Sequence, residues 1–126
     1  MDPSGWTSDE PVRVSSAAEL ELTSRRADGS YRPYVTIWVV GAADCLYVRS
    51  AHGWNNGWFQ WVLKSGEGRV RTAGVERDVA FEQPGPDVAA AVTAAYHAKY
   101  DRYGPSIVGT VISAEAVTST LRLAPR

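Results

Sequence analysis

The run YVTIWVV, residues 34–40, has the strongest β-sheet character in the chain. All of its side chains are β-branched or aromatic, the types that pack well on a pleated strand. Apolar side chains fall on both faces of the run, as in a strand that is covered on both sides. The sequence therefore predicts a central strand of a sheet at Tyr34–Val40.

Shorter segments on both sides of this run predict further strands. In Glu19–Arg25, Leu20 and Leu22 alternate with two glutamates, which indicates a half-exposed strand. Asp28-Gly29 is a strong signal for a turn between two strands. The remaining predicted strands, with turns at Gly41–Asp44 and around Gly74 between them, are Cys45–Ser50, Trp58–Leu63, Arg69–Ala73, Arg77–Phe81, Ser106–Ile112 and Thr118–Leu123.

One long helix is predicted at Asp87–Tyr103, where apolar residues recur at spacings of three and four. Pro86 suits its first turn, and Gly104-Pro105 ends it. Short helical turns are predicted near Ser8–Val12 and at Ala114–Val117. Six or seven short strands and one helix at about 87–103 predict a mainly β protein, a compact barrel with the helix packed on it. We expect residues 1–126 to form one domain, with an irregular segment at 1–15.

Composition excludes several classes of protein. The 126 residues carry 13 basic and 14 acidic side chains, which is too little positive charge for a broad nucleic-acid footprint. Cys45 is the only cysteine, so neither an internal disulfide nor a cysteine zinc site can form, and no histidine pair has metal-ligand spacing. No apolar run approaches the roughly 20 residues of a membrane span. Met1–Glu10 is polar, unlike a signal peptide. We expect a cytoplasmic protein whose partner is a small molecule.

The stretch LYVRSAHGWNNGWFQW, residues 46–61, holds the densest group of candidate functional residues. Trp54, Trp58 and Trp61 fall within eight residues, too close together for all three to point into one small core. At least one of them is expected to line a pocket or an interface, because tryptophan rings also stack on flat ligands. Trp38, in the predicted central strand, is a further candidate wall for a ligand.

Two side chains of this stretch are candidates for acid–base catalysis. His52 lies in a loop after a predicted strand and titrates near neutrality, so it could donate or accept a proton. Tyr47 on that strand could assist it. The alternative is that His52 is an ordinary loop histidine.

Basic residues supply a candidate anion site. Arg25, Arg26 and Arg32 flank the Asp28-Gly29 turn, and Arg49 projects from the face of its strand opposite Leu46 and Val48. The planar guanidinium group suits phosphate and carboxylate. If the hairpin tip folds beside the end of the 45–50 strand, these arginines form one cluster, and backbone N–H groups of loop 53–57 could add donors. The alternative is a solvated hairpin with scattered charges.

A family resemblance rests on several of these segments. The segments RRADGSYRPYVTIWVV, CLYVRSAHGWNNGWFQW, VAFE, AAYHAKYDRYG and TSTLRLAPR, in this order over roughly residues 19–126, resemble a bacterial family, domain-of-unknown-function family 2255. That family is similar to flavin-binding split barrels, which include pyridoxamine-phosphate-oxidase-like proteins and deazaflavin-dependent nitroreductases. The resemblance implies a split β-barrel and a homodimer with its cofactor at the subunit boundary.

The resemblance also implies a cofactor, FMN or a deazaflavin, and the residues that would bind it. They are Arg25, Arg26, Gly29, Arg32, Arg49, Ser50, Gly53 and Trp58. The sequence departs from the nitroreductase-like pattern at Ala27-Asp28, where a carboxylate would repel phosphate unless it points away. The bulky Trp54 and Trp61 could also occupy the space that a flavin ring needs.

Three functional hypotheses follow. The first is a flavin- or deazaflavin-dependent oxidoreductase that acts on a small organic molecule. The second is an enzyme without a cofactor, in which His52 and Tyr47 carry out acid–base chemistry on an aromatic substrate between the walls Trp38, Trp54 and Trp61. The third is a non-catalytic module that binds a small ligand.

Overall fold

A computed structural model describes residues 6–51 and 53–126. In this part of the chain seven strands form one sheet. They are β1 (Leu20–Ser24), β2 (Val35–Ile37), β3 (Val40–Ala42), β4 (Cys45–Val48), β5 (Glu67–Thr72), β6 (Val75–Glu82) and β7 (Leu121–Pro125). Every neighbouring pair is antiparallel. The predicted hairpin around Gly74 is confirmed as β5 and β6.

The described residues also form five α-helices, the first before β1 and the others between later strands: α1 (Glu10–Ser16), α2 (Gly57–Ser65), α3 (Ala89–Tyr100), α4 (Pro105–Ile112) and α5 (Ala114–Val117). Single 3-10 turns at Pro86–Val88 and Asp101–Tyr103 extend α3 at both ends, which confirms the predicted long helix. A third such turn spans Gly53–Asn55. Within residues 6–51 and 53–126, no helix has the length and apolar character needed to cross a membrane.

The strand order closes the sheet into a split barrel. Along the sheet the order is β2-β1-β5-β6-β7-β4-β3, so β2 and β3 are its two edges. Only Trp38 and Val39 separate these strands in the chain. Such a short link spans about 11 Å at most, and the two edges must therefore lie close together. The predicted fold class, a mainly β split barrel with a C-terminal helix packed on it, is confirmed.

The predicted central strand Tyr34–Val40 is wrong, because the run divides between the two edges of the sheet. Its middle is held by a tyrosine of α3 instead of by a neighbouring strand. The ring of Trp38 stacks on that of Tyr100 with centroids 3.9 Å apart and planes 2° apart. The N–H of Val39 donates to the Tyr100 hydroxyl at 3.3 Å. These contacts replace the ladder bonds that a continuous strand would make.

Two other predicted strands, Trp58–Leu63 and Ser106–Ile112, are also wrong and form α2 and α4. In each case the buried residues are three apart, as on a helix face: Phe59 and Val62 in α2, and Val108 and Val111 in α4. Gly66 ends α2 in the left-handed region at φ 77°, with its N–H donating to the Val62 carbonyl. Pro105 begins α4, where a proline is well tolerated. A short apolar run does not by itself distinguish a strand from a helix.

The core lies on both faces of the sheet. Leu46 and Val48 belong to the cluster inside the barrel, whereas Tyr47 belongs to a second cluster beneath α3 and α4. The two faces predicted for this strand are therefore confirmed. The second cluster joins the curved sheet to the C-terminal helices through Tyr96 and Tyr100, which are both fully buried.

Arg49 ties the end of β4 to the helices from the Tyr47 face. It is only 2% exposed. Its Nε donates to Thr120 Oγ1 at 2.9 Å, Nη1 donates to Thr93 Oγ1 at 2.9 Å and to the Val111 carbonyl at 3.0 Å, and Nη2 donates to the Ala89 carbonyl at 3.1 Å. One side chain thus holds both ends of the helical layer to the barrel.

Gly68→Ala is expected to lower the free energy of unfolding by about 3 kcal/mol or more. A Cβ on Gly68 would overlap the Thr23 carbonyl of the neighbouring strand and lie 3.0 Å from the Phe81 ring. Gly109→Ala is the matched control, since a Cβ in α4 meets nothing within 4 Å. It should leave stability unchanged or raise it by roughly 0.5–1 kcal/mol. Urea denaturation measures both, and equal midpoints for the two variants would contradict the packing of β1 against β5.

Arg49→Ala is expected to lower stability by about 3 kcal/mol, because four buried or partly buried acceptors lose their donor and a cavity remains. The control is Arg71→Ala, which removes an exposed ion pair between Arg71 Nε and Glu21 Oε1 at 3.2 Å. A surface pair of this kind contributes about 1 kcal/mol or less. Thermal and urea unfolding of the two variants compares them directly. A loss for Arg49→Ala no larger than that for Arg71→Ala would show that the clamp contributes little.

Candidate functional site

A basic cleft of about 510 Å³ lies between the hairpin tip at 25–32 and the C-terminal half of α2. We call it the basic cleft, and its lining residues are Arg25, Arg26, Ala27, Gly29, Arg32, Trp61, Lys64, Ser65 and Glu67. It contains four basic side chains and one carboxylate. The local charge is therefore positive although the net charge of the chain is −1. Such a donor set suits a phosphate group.

Most of these basic groups are not neutralised by a carboxylate. Arg25 Nη1 lies 3.4 Å from Glu67 Oε1, and Glu67 also pairs with Arg126. Arg26 Nη1 donates instead to the Tyr31 carbonyl at 3.0 Å. The Arg32 guanidinium lies 3.4 Å from the centroid of the Trp61 ring. In the part of the chain that the structure describes, Arg26, Arg32 and Lys64 form no ion pair with an acidic side chain.

Asp28, the acidic residue of this hairpin, does not line the basic cleft. Its Oδ1 accepts the Ser30 N–H at 2.9 Å and the Ser30 hydroxyl at 2.6 Å. These hydrogen bonds hold the pKa of Asp28 below its ordinary value. Gly29 has φ 90° in the turn, a backbone conformation that residues other than glycine rarely adopt. The carboxylate is therefore hydrogen-bonded within the turn and lies outside the wall of the cleft, and its charge also interacts with Arg26.

An apolar cleft of about 330 Å³ adjoins the basic cleft and shares Arg32 and Trp61 with it. We call it the apolar cleft. It runs between β1, β2 and α2, and its other lining residues are Leu22, Thr23, Ser24, Pro33, Val35, Gly57, Trp58 and Val62. Trp58 and Trp61 reach the same cleft because residues three apart share a helix face. On the predicted strand they would have pointed to opposite faces.

A third cleft, of about 260 Å³, contains Arg49, and we call it the Arg49 cleft. Trp38, Trp58 and Asn56 line it together with Thr36, Ile37, Ala51, Ile107, Thr110 and Val111. Arg49 does not join the hairpin arginines in a single cluster. The basic cleft and the Arg49 cleft share no lining residue, so the structure does not bring Arg49 and the hairpin arginines into one anion site.

Ser50 and Gly53, two other residues implicated by the family resemblance, are buried in the connection to α2. The Ser50 N–H donates to Ser119 Oγ at 2.9 Å, and Asn56 Nδ2 donates to Ser50 Oγ at 2.8 Å. Gly53 has φ 84°, and a Cβ there would lie 2.9 Å from Glu115 Cβ. Both residues shape this connection, and their contact with a cofactor stays a prediction.

The remaining candidates lie apart from the basic cleft. Trp54 is 44% exposed and donates from Nε1 to Thr118 Oγ1 at 3.0 Å, beside the 83–89 segment. It therefore does not compete for space with a ligand near Trp61. Tyr47 is 1% exposed in the core, and burial raises its pKa. His52 lies outside the described residues. The acid–base role proposed for His52 and Tyr47 stays a prediction.

Sequence reasoning missed Lys64, Glu67 and Asn56 as lining residues. Lys64 follows Trp61 by three positions, so a helical assignment of this segment would have placed both on one face. Glu67 begins β5 directly after α2 and carries no motif. In residues 6–51 and 53–126, no group of three or more His, Cys, Asp or Glu side chains could hold a metal ion.

Three solved structures share this architecture at low sequence identity. A conserved hypothetical protein, Rv2991, from Mycobacterium tuberculosis matches with a TM-score of 0.67 and 9% identity, over 99% of this chain and 84% of that one. A protein described as F420 reductase matches with a TM-score of 0.60 and 12% identity, over 96% of both chains. A FAD-binding protein from Mesorhizobium loti matches with a TM-score of 0.56 and 14% identity, over 96% of this chain and 91% of that one. At such identities the likeness shows the fold alone.

Sequence comparison gives the family directly. A search of curated proteins finds no match. The family model described as "Uncharacterized protein conserved in bacteria (DUF2255)" matches residues 11–123, nearly the whole chain. The family predicted from the sequence motifs is thus confirmed, and the chain belongs to the bacterial DUF2255 family.

Proposed function

We propose that this chain binds a phosphorylated flavin or deazaflavin, FMN or F420, and acts as a small oxidoreductase on an organic molecule. The observation that carries the proposal is the union of the basic cleft and the apolar cleft through Arg32 and Trp61. One end of this joined site offers cations and the other offers flat apolar walls. A ligand with a phosphate at one end and a planar ring system at the other matches both ends.

The donor set of the basic cleft fits a phosphate. Arg26, Arg32 and Lys64 form no ion pair within the described residues, so an incoming anion does not have to break one. Asp28 is bonded within its turn and is not part of the cleft wall. In the proposed complex these three side chains and Arg25 hold the phosphate.

The apolar cleft fits a ring system. Trp58 is partly buried and Trp61 is 42% exposed, and both line the cleft together with aliphatic side chains. Aromatic walls of this kind stack on planar ligands. When bound, the cofactor supplies the hydride transfer, and the protein supplies its orientation and its electrostatic surroundings. The distant likeness to structures described as F420 reductase and as a FAD-binding protein supports the choice of cofactor.

Titration of the purified protein with FMN and with F420, followed by tryptophan fluorescence and calorimetry, tests the proposal. We expect saturable binding of one cofactor, and about tenfold weaker binding for each of Arg26→Ala and Arg32→Ala, because each removes a charge-assisted contact. Arg71→Ala is the control, since this arginine is paired with Glu21 and lines neither cleft. It should bind as the parent does.

Binding should also weaken with added salt, since the basic cleft is open to solvent. The proposal fails if neither cofactor binds, or if the cleft variants and Arg71→Ala lose affinity equally. Protein purified from a host that makes both cofactors adds a second measurement. An absorbance band from the bound ring should be present in the parent and reduced in Arg32→Ala.

We further infer that a second copy of the chain covers the joined clefts. Trp61 lines both clefts and yet leaves 42% of its surface exposed. The outer edge of β2 beside the apolar cleft has no partner strand among the described residues. Large exposed aromatic surface beside a groove is typical of a protein interface. A homodimer would shield a ring bound in the apolar cleft from water.

Light scattering should therefore give the mass of a dimer at micromolar concentration. Cofactor affinity should fall when the protein is diluted below the concentration at which the dimer dissociates, because each site loses its cover. A Trp61→Glu variant should be monomeric, whereas Trp54→Glu, with an equally exposed ring elsewhere, should stay dimeric. A monomer that retains full affinity at every concentration would refute the dimeric site.

A further inference from the structure

Arg49 is the one buried charged side chain among residues 6–51 and 53–126. Its four hydrogen bonds all go to neutral oxygens, two threonine hydroxyls and two backbone carbonyls. A guanidinium group has five N–H donors, and one N–H on Nη2 has no acceptor among the described residues. Within this part of the chain, Arg49 also has no carboxylate partner.

Such a charge is costly unless an anion accompanies it. Burial takes the guanidinium out of water, and neutral acceptors offset only part of that loss. The same burial lowers the pKa of Arg49 below its ordinary value. An anion beside Arg49 would be attracted strongly, because the interaction takes place in a region of low dielectric constant. The contact between Arg49 and the aromatic ring of Tyr96 is weak, because the ring centroid lies 5.4 Å from the guanidinium carbon.

The Arg49 cleft lies directly against this group, which is 2% exposed. Arg49 forms part of its wall, and Trp38, Trp58 and Ile107 give it apolar walls. No acidic side chain lines the cleft, so nothing there repels a negative charge. Its volume of about 260 Å³ is about half that of the basic cleft, which suits a small molecule.

The donors of the cleft favour a carboxylate over a phosphate. Asn56 Nδ2 already donates to Ser50 Oγ and to the Ala51 carbonyl, and the Thr110 hydroxyl donates to the Ile107 carbonyl. Arg49, with its charge and a single N–H left without an acceptor, and the Thr36 hydroxyl are too few for the three oxygens of a phosphate dianion. They suffice for one carboxylate, while the aromatic walls accept a ring.

We propose that the Arg49 cleft is a binding site for a small aromatic carboxylate, with Arg49 as the group that recognises its charge. The site is distinct from the joined basic and apolar clefts, and its occupation does not require a cofactor. Trp58 is the wall that the apolar cleft and the Arg49 cleft share. A carboxylate in the Arg49 cleft would therefore lie next to the place proposed for the ring of the cofactor.

Benzoate and its neutral analogue benzamide are suitable probes, added to protein freed of any cofactor. We expect benzoate to raise the melting temperature and to change tryptophan fluorescence in a saturable way, and benzamide to do neither at the same concentration. Arg49→Lys should weaken benzoate binding while keeping the charge, because the planar fork is lost. Equal binding of benzoate and benzamide, or no binding of either, would overturn the proposal.

A second pair of variants keeps the test valid if Arg49→Lys does not fold. Ile107→Asp places a carboxylate in the cleft at a residue that is 49% exposed, and Val12→Asp makes the same change at a residue that is 66% exposed and lines no described cleft. We expect Ile107→Asp to weaken benzoate binding about tenfold by charge repulsion. Val12→Asp should leave benzoate binding unchanged. Equal effects of the two variants would refute the site.

Arg32→Ala separates this site from the proposed cofactor site. It should weaken cofactor binding and leave benzoate binding unchanged, and Ile107→Asp should weaken benzoate binding more than cofactor binding. If Arg32→Ala abolishes benzoate binding, the carboxylate binds in the basic cleft and the assignment to Arg49 is wrong. If the chain binds neither FMN nor F420, the proposed cofactor site is wrong, but benzoate should still bind in the Arg49 cleft.

Discussion

The two-residue link Trp38–Val39 is the constraint on which the rest of the structure depends. It joins the opposite edges of a seven-stranded sheet, so the sheet has to curl until those edges nearly meet. Tyr100 contacts both residues of the link, because its ring stacks on Trp38 and its hydroxyl accepts the Val39 N–H. The same hydroxyl donates to the Ala18 carbonyl at 2.9 Å. Lys99 also donates to the Val39 carbonyl. The helix that packs on the barrel therefore also fixes its seam, and the apolar cleft and the Arg49 cleft both lie along β2 at this seam.

The distribution of ion pairs explains how a chain with a net charge of −1 makes a basic cleft. Arginines on the outer surface of the sheet are matched with acids, as in Arg69 with Asp78 at 2.8 Å and Arg122 with Glu82 at 2.8 Å. The hairpin tip and the last turn of α2 carry cations without such partners. Local imbalance, not overall charge, therefore creates the attraction for an anion, and it acts only near the site.

The sequence allowed the hairpins, the long helix at about 87–103, the two faces of β4 and the family to be predicted, because each depends on local pattern or motif order. It did not allow the break at Trp38–Val39 to be predicted, since that break is enforced by Tyr100, sixty-two residues later than Trp38. The helices α2 and α4 were mistaken for strands for a simpler reason. Their apolar residues form short runs, and only Gly66 and Pro105 mark the helix ends. The hairpin arginines were recognised, but their union with Trp61 and Lys64 depends on α2 being a helix.

The core holds Trp58 in place, so the wall that it forms between two clefts does not depend on a bound ligand. Its ring packs edge-on against Phe59, with centroids 5.8 Å apart and planes 87° apart, and Phe59 is fully buried. Trp54 packs against the same phenylalanine from another direction, at 5.4 Å. The wall between the apolar cleft and the Arg49 cleft is therefore supported by the core, so little ordering has to accompany binding. The Trp58 ring lines both clefts. Molecules bound in the apolar cleft and in the Arg49 cleft would therefore both contact this one side chain. That geometry suits a protein in which a planar ligand and a second small molecule have to meet.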